Sequence, residues 1–485
     1  MVCTRNAAAD YDEWEALGNP GWSYKDMFPY FKKIETFHTP PNCRFPIDPN
    51  AHGDHGDLNI SYGEYTSPIS YEFIDACVRE GFGPIIDLNN SEGKVLGTGR
   101  VQAFLHKGER VSASSAFIPP ELIRARKNNL YVTIGCHVTR ILFEERDGEP
   151  PRAVGVEFKR KPKGPIYKVF ATSEVILSAG TIHSPHILLL SGIGDEAHLR
   201  EHGIRPVVHL PGVGRNLLDH LSCSLNYIPR KGMSIHSFFL NPIPHVLEWM
   251  RHRTGLVTSN LTEASAFWRV ELPPSSTAGD SKHYEGPNVE TLGIIGQLGC
   301  NSPNLNMKKR FLDFYTRDYY SICVILLKPN SVGRITLASA DPFDMPVVNP
   351  NYLEDERDRK ILVEAVRRSM RVGEDLKRSG MILRDYCVPQ TKPNESEEEA
   401  IRRHIELQSD TMFHPTSTCK MGPDTDPMAV VDGELRLRGV KGLRVVDCSV
   451  FPSVPAGHTS YPVMAVAERA SEFILKARRA SQPEG

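Results

Sequence analysis

The chain of 485 residues has ten cysteines but no C-x-x-C pair, which argues against zinc ribbons and iron–sulfur clusters. No apolar run approaches the ~18 residues that a membrane-spanning helix needs. Neither sign of charge is in excess: 57 Lys and Arg against 59 Asp and Glu leave a formal net charge of -2. That balance gives no electrostatic reason to expect nucleic acid or an anionic membrane as partner. There is no G-x-S-x-G elbow of the kind that carries a hydrolase nucleophile. The first residues, MVCTRNAAADYDEW, contain no apolar signal region. The sequons at Asn59, Asn89, Asn260 and Asn394 are near chance frequency, so the compartment is left open.

What is present is an α/β pattern. The stretches 129–136, 137–145, 153–160 and 169–177 read as strands, with a turn at Asp147–Pro151. EVILSAGTIHSPHILLLSGIG then switches period from strand to helix. Ser184 is the expected N-cap, Pro185 the first helical residue and Gly192 the stop. A buried strand, a glycine turn and a helix form one half of a nucleotide-binding unit. Residues 226–405 read as less regular, with a polar surface excursion at 273–288 and a charged-faced helix at 354–376. Near the end, 434–447 predicts two short strands about Gly439–Gly442. The segment 462–479 predicts an amphipathic helix burying Val463, Val466, Ala467, Ala470, Phe473 and Ile474, capped by Thr459 or Ser460.

The chemistry concentrates in FHPTSTCKMG, residues 413–422. Three readings compete. A metal site would need further ligands, for example His52, Asp54, His55 and Asp57 in AHGDHGD, yet such glycine-rich loops are more often turns. A nucleophile reading would use Cys419, but nothing near it in sequence lowers a thiol pKa. The third pairs His414 with His458, each in a loop beside a regular element. His458 directly precedes the C-terminal helix, whose first N–H groups and partial positive charge stabilise an anion. A reduced flavin is such an anion. Beside it, a histidine could take an alcohol's hydroxyl proton as hydride leaves the carbon.

These stretches, together with MVCTRNAAADYDEWEALGNPGWSYKDMFPYFKKIE, GTIHSPHILLLSGIG, LPGVGRNLLDH, NPNYL and LRVVDCSVFPSVPAGHTSYP, resemble the glucose–methanol–choline (GMC) oxidoreductases in order and over nearly the whole chain. The resemblance implies an FAD-binding Rossmann-like domain interleaved with an antiparallel-sheet substrate domain, an α/β plus α+β architecture. It assigns 1–60, 96–225 and 410–485 to the flavin domain and 61–95 and 226–409 to the substrate domain. It implies FAD as cofactor, a small-molecule alcohol as substrate, His414 as proton acceptor and His458 as the second pocket residue. It further implies that Val138 meets the adenine, that Ala179 and Gly180 open the second flavin signature, and that Asp447, Cys448, Thr459, Ser460 and Tyr461 line the flavin.

Three positions depart from the pattern: Asn6 and Ser417 stand where glycine is usual, and Tyr461 where a small residue is common. Tyr461 is expected to narrow the pocket or alter oxygen access. A larger departure is that no G-x-G-x-x-G occurs; Met1 aligns just after the family's first flavin signature. The opening strand–glycine–helix unit is therefore expected to precede Met1 in a longer reading frame, and this polypeptide alone is expected to bind FAD weakly or not at all. Two alternatives accompany the oxidoreductase reading: a flavin-retaining lyase or cyclase, and a non-catalytic remnant.

Overall fold

A computed structural model describes residues 1–40, 43–273, 284–299 and 317–480. Its largest element is a seven-stranded sheet with all strand pairs antiparallel. The order runs Ile382–Cys387, Leu221–Pro229, Tyr320–Leu326, Val289–Ile294, Thr262–Trp268, Gly97–Arg100, and Ser409–Thr411 also pairs with Leu221–Pro229. Strand residues alternate between faces. One face carries Cys223, Leu225, Tyr320, Ile322, Val324, Ala264 and Ala266, packed against the helices Pro68–Arg79 and Glu356–Arg378. The opposite face carries Ser222, Ser224, Asn226, Ser265, Glu290 and Ser321, all buried. They share that face with Phe267, Leu292, Cys323 and Ile325, and being buried they require hydrogen-bond partners there.

The region 226–405, read as less regular, therefore supplies most of this sheet. Its strands lie far apart in sequence, so no hairpin signal announces them. Most of the expected excursion at 273–288 lies outside the described residues.

The second unit is built as the nucleotide-binding pattern requires. Val175–Leu177 pairs in parallel with Leu443–Val445, and the turn at Ala179 leads into the helix Gly180–Leu190. A three-stranded antiparallel sheet, His137–Glu144, Arg152–Lys159 and Tyr167–Phe170, lies beside it. The expected strand at 129–136 does not form. Tyr131 and Ile134 are 80% and 83% exposed, because no strand among the described residues pairs with this stretch. The expected strand at 169–177 is divided in two by a turn, since its halves pair with different partners.

The helix Gly180–Leu190 starts four residues earlier than the expected cap at Ser184. Ser184 instead lies inside the helix, where its Oγ accepts from the Ala179 N–H and donates to Asp447 Oδ2 at 2.5 Å. Pro185, being interior, cannot donate to the Thr181 carbonyl. The Thr418 hydroxyl fills that role at 2.6 Å. Of the two strands expected at 434–447, only Leu443–Val445 forms; the earlier stretch makes isolated bridges. The last helix runs Ser460–Ala480, with Tyr461, Pro462, Ala465, Val466 and Ala470 buried, whereas Ala467 is exposed.

Candidate active site

The site forms where the sheet's polar face meets the start of the C-terminal helix. Two pieces of register bring its residues together. Leu221 pairs with Thr411, and Leu218 bridges Thr416, so His220 and His414 are held between two antiparallel pairings. The segment after His414 runs beside Cys448–Val450: the N–H groups of Ser417, Cys419 and Met421 donate to the carbonyls of Cys448, Ser449 and Val450. That ladder aligns the segment bearing His414 with the segment leading to His458.

The rings of His414 and His458 stand edge to face, with centroids 4.8 Å apart. The His220 ring also stands edge to face with His414, centroids 5.2 Å apart, and the two Nδ1 atoms are 3.0 Å apart. Among the described residues, Nε2 of His414 has no hydrogen-bond partner. The His414 N–H donates to Asp219 Oδ1 at 2.9 Å. Asp219 also accepts from the hydroxyls of Thr411 and Tyr352. His458 Nε2 lies 3.4 Å from Glu290 Oε1, outside hydrogen-bond geometry, and Glu290 Oε2 is buried without a partner among the described residues. Burial, followed by the neighbouring His458 and His220, holds His414 well below the usual imidazole range; burial takes His220 down to about 3.

The backbone around His414 is held in conformations that L-residues rarely adopt. Phe413 and Ser417 have φ of 57° and 75°, and Asn6 has 69°. Glycine is usual at the last two positions for that conformational reason. Here Asn6 gains compensation. Its side chain accepts from the Thr4 hydroxyl and donates to the His458 carbonyl, while the His458 N–H donates to Thr4 Oγ1.

The competing readings of 413–422 separate clearly. Cys419 and Met421 are buried in the apolar core, and burial raises the Cys419 thiol far above its ordinary pKa. Among the described residues neither joins a cluster of metal-ligating side chains, and a thiol so raised is not a ready nucleophile. Nor does AHGDHGD gather ligands. His52 lies between Glu35 at 2.6 Å and Asp87 at 3.2 Å, while Asp54 and His55 are exposed. Its glycines serve close approach, since a Cβ on Gly53 or Gly56 would meet the backbone of residues 32–35 at 2.1 or 2.0 Å.

The other sequence-predicted residues form a continuous track. Val138 and Ala179 border an apolar cleft of about 390 Å³, shared with Ile141, Val169, Phe170 and Leu177. The Gly180 N–H donates to Asp447 Oδ2, so Asp447 caps this helix. The half-buried Cys448 adjoins Thr459, and burial pushes its thiol up to about 12. Thr459 immediately precedes the last helix, and its carbonyl accepts from the Val463 N–H. The N–H groups of Ser460 and Tyr461 make no hydrogen bond to a described residue. The Tyr461 side chain is turned into the core: its hydroxyl donates to the Phe31 carbonyl and meets Glu35, which pairs with Arg5 at 2.5 Å. It anchors the helix start, and only its backbone is left for a ligand. Sequence reasoning gave no role to Asp219, His220 or Glu290. The signal for the first two lay in LPGVGRNLLDH, which ends on them.

An apolar cleft, a helix start with unbonded N–H groups, and the orphaned Nε2 of His458 and Oε2 of Glu290 fit a cofactor with a flat ring at one end and a reactive ring at the other. Together with the sheet that packs beside the histidines, they suit an enzyme that uses a nucleotide cofactor. The chain belongs to the GMC oxidoreductase family, whose N- and C-terminal profiles match residues 1–222 and 329–467. It is 34% identical to glucose dehydrogenase [FAD, quinone] of Drosophila pseudoobscura pseudoobscura, over 98% of this chain and 72% of that one. It is likewise 34% identical to the oxygen-dependent choline dehydrogenase of Vibrio vulnificus, over 98% and 78%. A formate oxidase structure from Aspergillus oryzae superposes with a TM-score of 0.84 at 26% identity, covering 99% of this chain and 83% of that one. The protein is an FAD-dependent oxidoreductase. Among the described residues no helix is long and apolar enough to cross a membrane.

Proposed function

We propose that this enzyme oxidises the CH–OH group of a small alcohol, with His414 as general base and His458 binding the substrate hydroxyl. The observation that carries the reading is the edge-to-face contact of half-buried His414 with buried His458, which itself stands directly before a 21-residue helix. Bound FAD supplies the hydride acceptor. Val138 and the Ala179–Gly180 turn would hold its adenine half, and Asp447, Cys448 and the backbone of Thr459, Ser460 and Tyr461 its flavin half. The flavin side is assigned to 1–60, 96–225 and 410–485 and the substrate side to 61–95 and 226–409, with Gly97–Arg100 reaching across to the sheet.

His414 is suited to its part because burial keeps its ring neutral at physiological pH, leaving a lone pair to accept the hydroxyl proton. The helix terminus contributes partial positive charge where negative charge develops. The sheet's inner face, with Glu290 beside His458, would bound the substrate side. The lyase and remnant alternatives are not favoured, since the relatives bear dehydrogenase and oxidase names.

The test is anaerobic titration with a panel of choline, aldose and aryl alcohols, carried out on enzyme whose visible spectrum shows flavin bound. Bleaching of the oxidised flavin by at least one, with formation of the carbonyl product, is expected. Turnover of a substrate without change in flavin redox state would instead support a lyase.

A further inference from the structure

The Nδ1 atoms of His220 and His414 approach to 3.0 Å, and a hydrogen bond between two imidazole nitrogens needs one proton and one lone pair. Two arrangements satisfy it. If His220 donates, neutral His414 carries its own proton on Nε2 and has no lone pair for a substrate. If His414 donates from Nδ1, its Nε2 lone pair is free, and Nε2 is the nitrogen with no partner among the described residues. Resting on the general-base reading above, we propose that His220 is a positioning residue: its Nδ1 lone pair accepts from His414 Nδ1–H and so fixes the tautomer in which His414 Nε2 is a base.

The surroundings of His220 agree with that assignment. Its ring is fully buried, and the Leu327 backbone favours a proton on it, although Nε2 makes no full hydrogen bond to a described residue. With Nδ1 turned to His414, that proton belongs on Nε2. The neighbouring Asp219 fixes the backbone of the same histidine, so the consecutive pair ending LPGVGRNLLDH holds His414 at two points. The proton balance is simple. The substrate hydroxyl proton goes to His414 Nε2 as the carbinol hydride leaves for the flavin. His414 becomes an imidazolium that still donates from Nδ1, and no proton passes to His220. Because His220 never changes protonation state, its low basicity does not impede the reaction.

Two substitutions separate this role from packing. In His220→Asn, Oδ1 takes the place of Nδ1 as an acceptor, whereas His220→Leu fills the space without one. Ring-nitrogen NMR of the flavin-loaded enzyme with isotope-labelled histidine reads the His414 tautomer directly, and stopped-flow reduction reads the rate. The parent and His220→Asn are expected to hold the proton on Nδ1, with His220→Asn reducing flavin at close to the parent rate. His220→Leu is expected to shift His414 toward the Nε2–H tautomer and to slow reduction by about 10²-fold, in the range for a lost general base. A parent enzyme with the His414 proton on Nε2, or a His220→Leu enzyme with unchanged tautomer and rate, overturns the proposal. If His220→Leu does not fold, the parent and His220→Asn spectra still decide it. Failure of the base reading itself would be seen separately, as unimpaired flavin reduction in His414→Ala.

Discussion

Three imidazoles and two carboxylates share the corner in which His414 sits, and its properties come from those neighbours rather than from its own loop. Burial and two adjacent histidines keep it neutral; Asp219 fixes its backbone. Asp219 is the residue whose loss should be felt most widely, because it accepts from one N–H and two hydroxyls. Asp219→Ala strands those donors, and hydrogen bonds to a charged group contribute about 1.5–3 kcal/mol each. Because neighbouring bonds do not add and burial of the carboxylate is itself costly, a net loss on the order of 3 kcal/mol is expected in chemical denaturation, with slower flavin reduction; Asp219→Asn should lose less on both measures. His414 and His458 were legible as a candidate pair because each stands in a short polar loop next to a regular element. Glu290 was not, because it lies on a buried strand whose inward polar face is apparent only once the sheet is assembled.

At the scale of elements, the local rules held where partners were close in sequence. The strand–turn–helix of 175–190 and the last helix were both readable from their change of period. The cap of the first helix was not. Asp447, remote in sequence, satisfies the Gly180 N–H, which lets the helix begin before Ser184. The same helix accommodates Pro185 only because Thr418 donates to the carbonyl that proline leaves without its backbone donor. Thr418→Val preserves shape and removes that donor. It is expected to cost about 1–2 kcal/mol of stability, the usual cost of one buried hydrogen bond with its partner left unsatisfied, measured by denaturant unfolding. A Thr418→Ser enzyme, which keeps the hydroxyl, should lie between the two. Equal stability of Thr418→Val and parent would mean that the Thr181 carbonyl finds another donor.

Across the whole molecule, several histidines are buried in the neutral form. Burial takes His186 and His404 down to about 4 and His220 to about 3, against 6.5 for an ordinary histidine, and His414 lies well below it. Each binds a proton less readily folded than unfolded. Their contribution to stability is complete above pH 6.5 and is lost as pH falls toward their folded values, where the unfolded chain takes up more protons. The melting temperature is therefore expected to fall steadily from about pH 6.5 to about pH 4, and His404→Gln, distant from the catalytic pair, should flatten that slope. The two-unit architecture was legible from the family resemblance, but the long middle segment hid its strands. Their pairing is non-local, and each is short enough to pass for irregular chain.

The central claim is that His414 takes the substrate's proton, and it is tested most directly by stopped-flow reduction of the flavin-loaded enzyme under anaerobic conditions, comparing parent with His414→Ala across pH. The parent rate should stay level at neutral pH and fall only below pH 6.5, as the ring becomes protonated. His414→Ala should be slower by ~10²–10⁴-fold and lose that acid limb. A His414→Ala enzyme that reduces its flavin at the parent rate, with the same pH profile, would contradict the account.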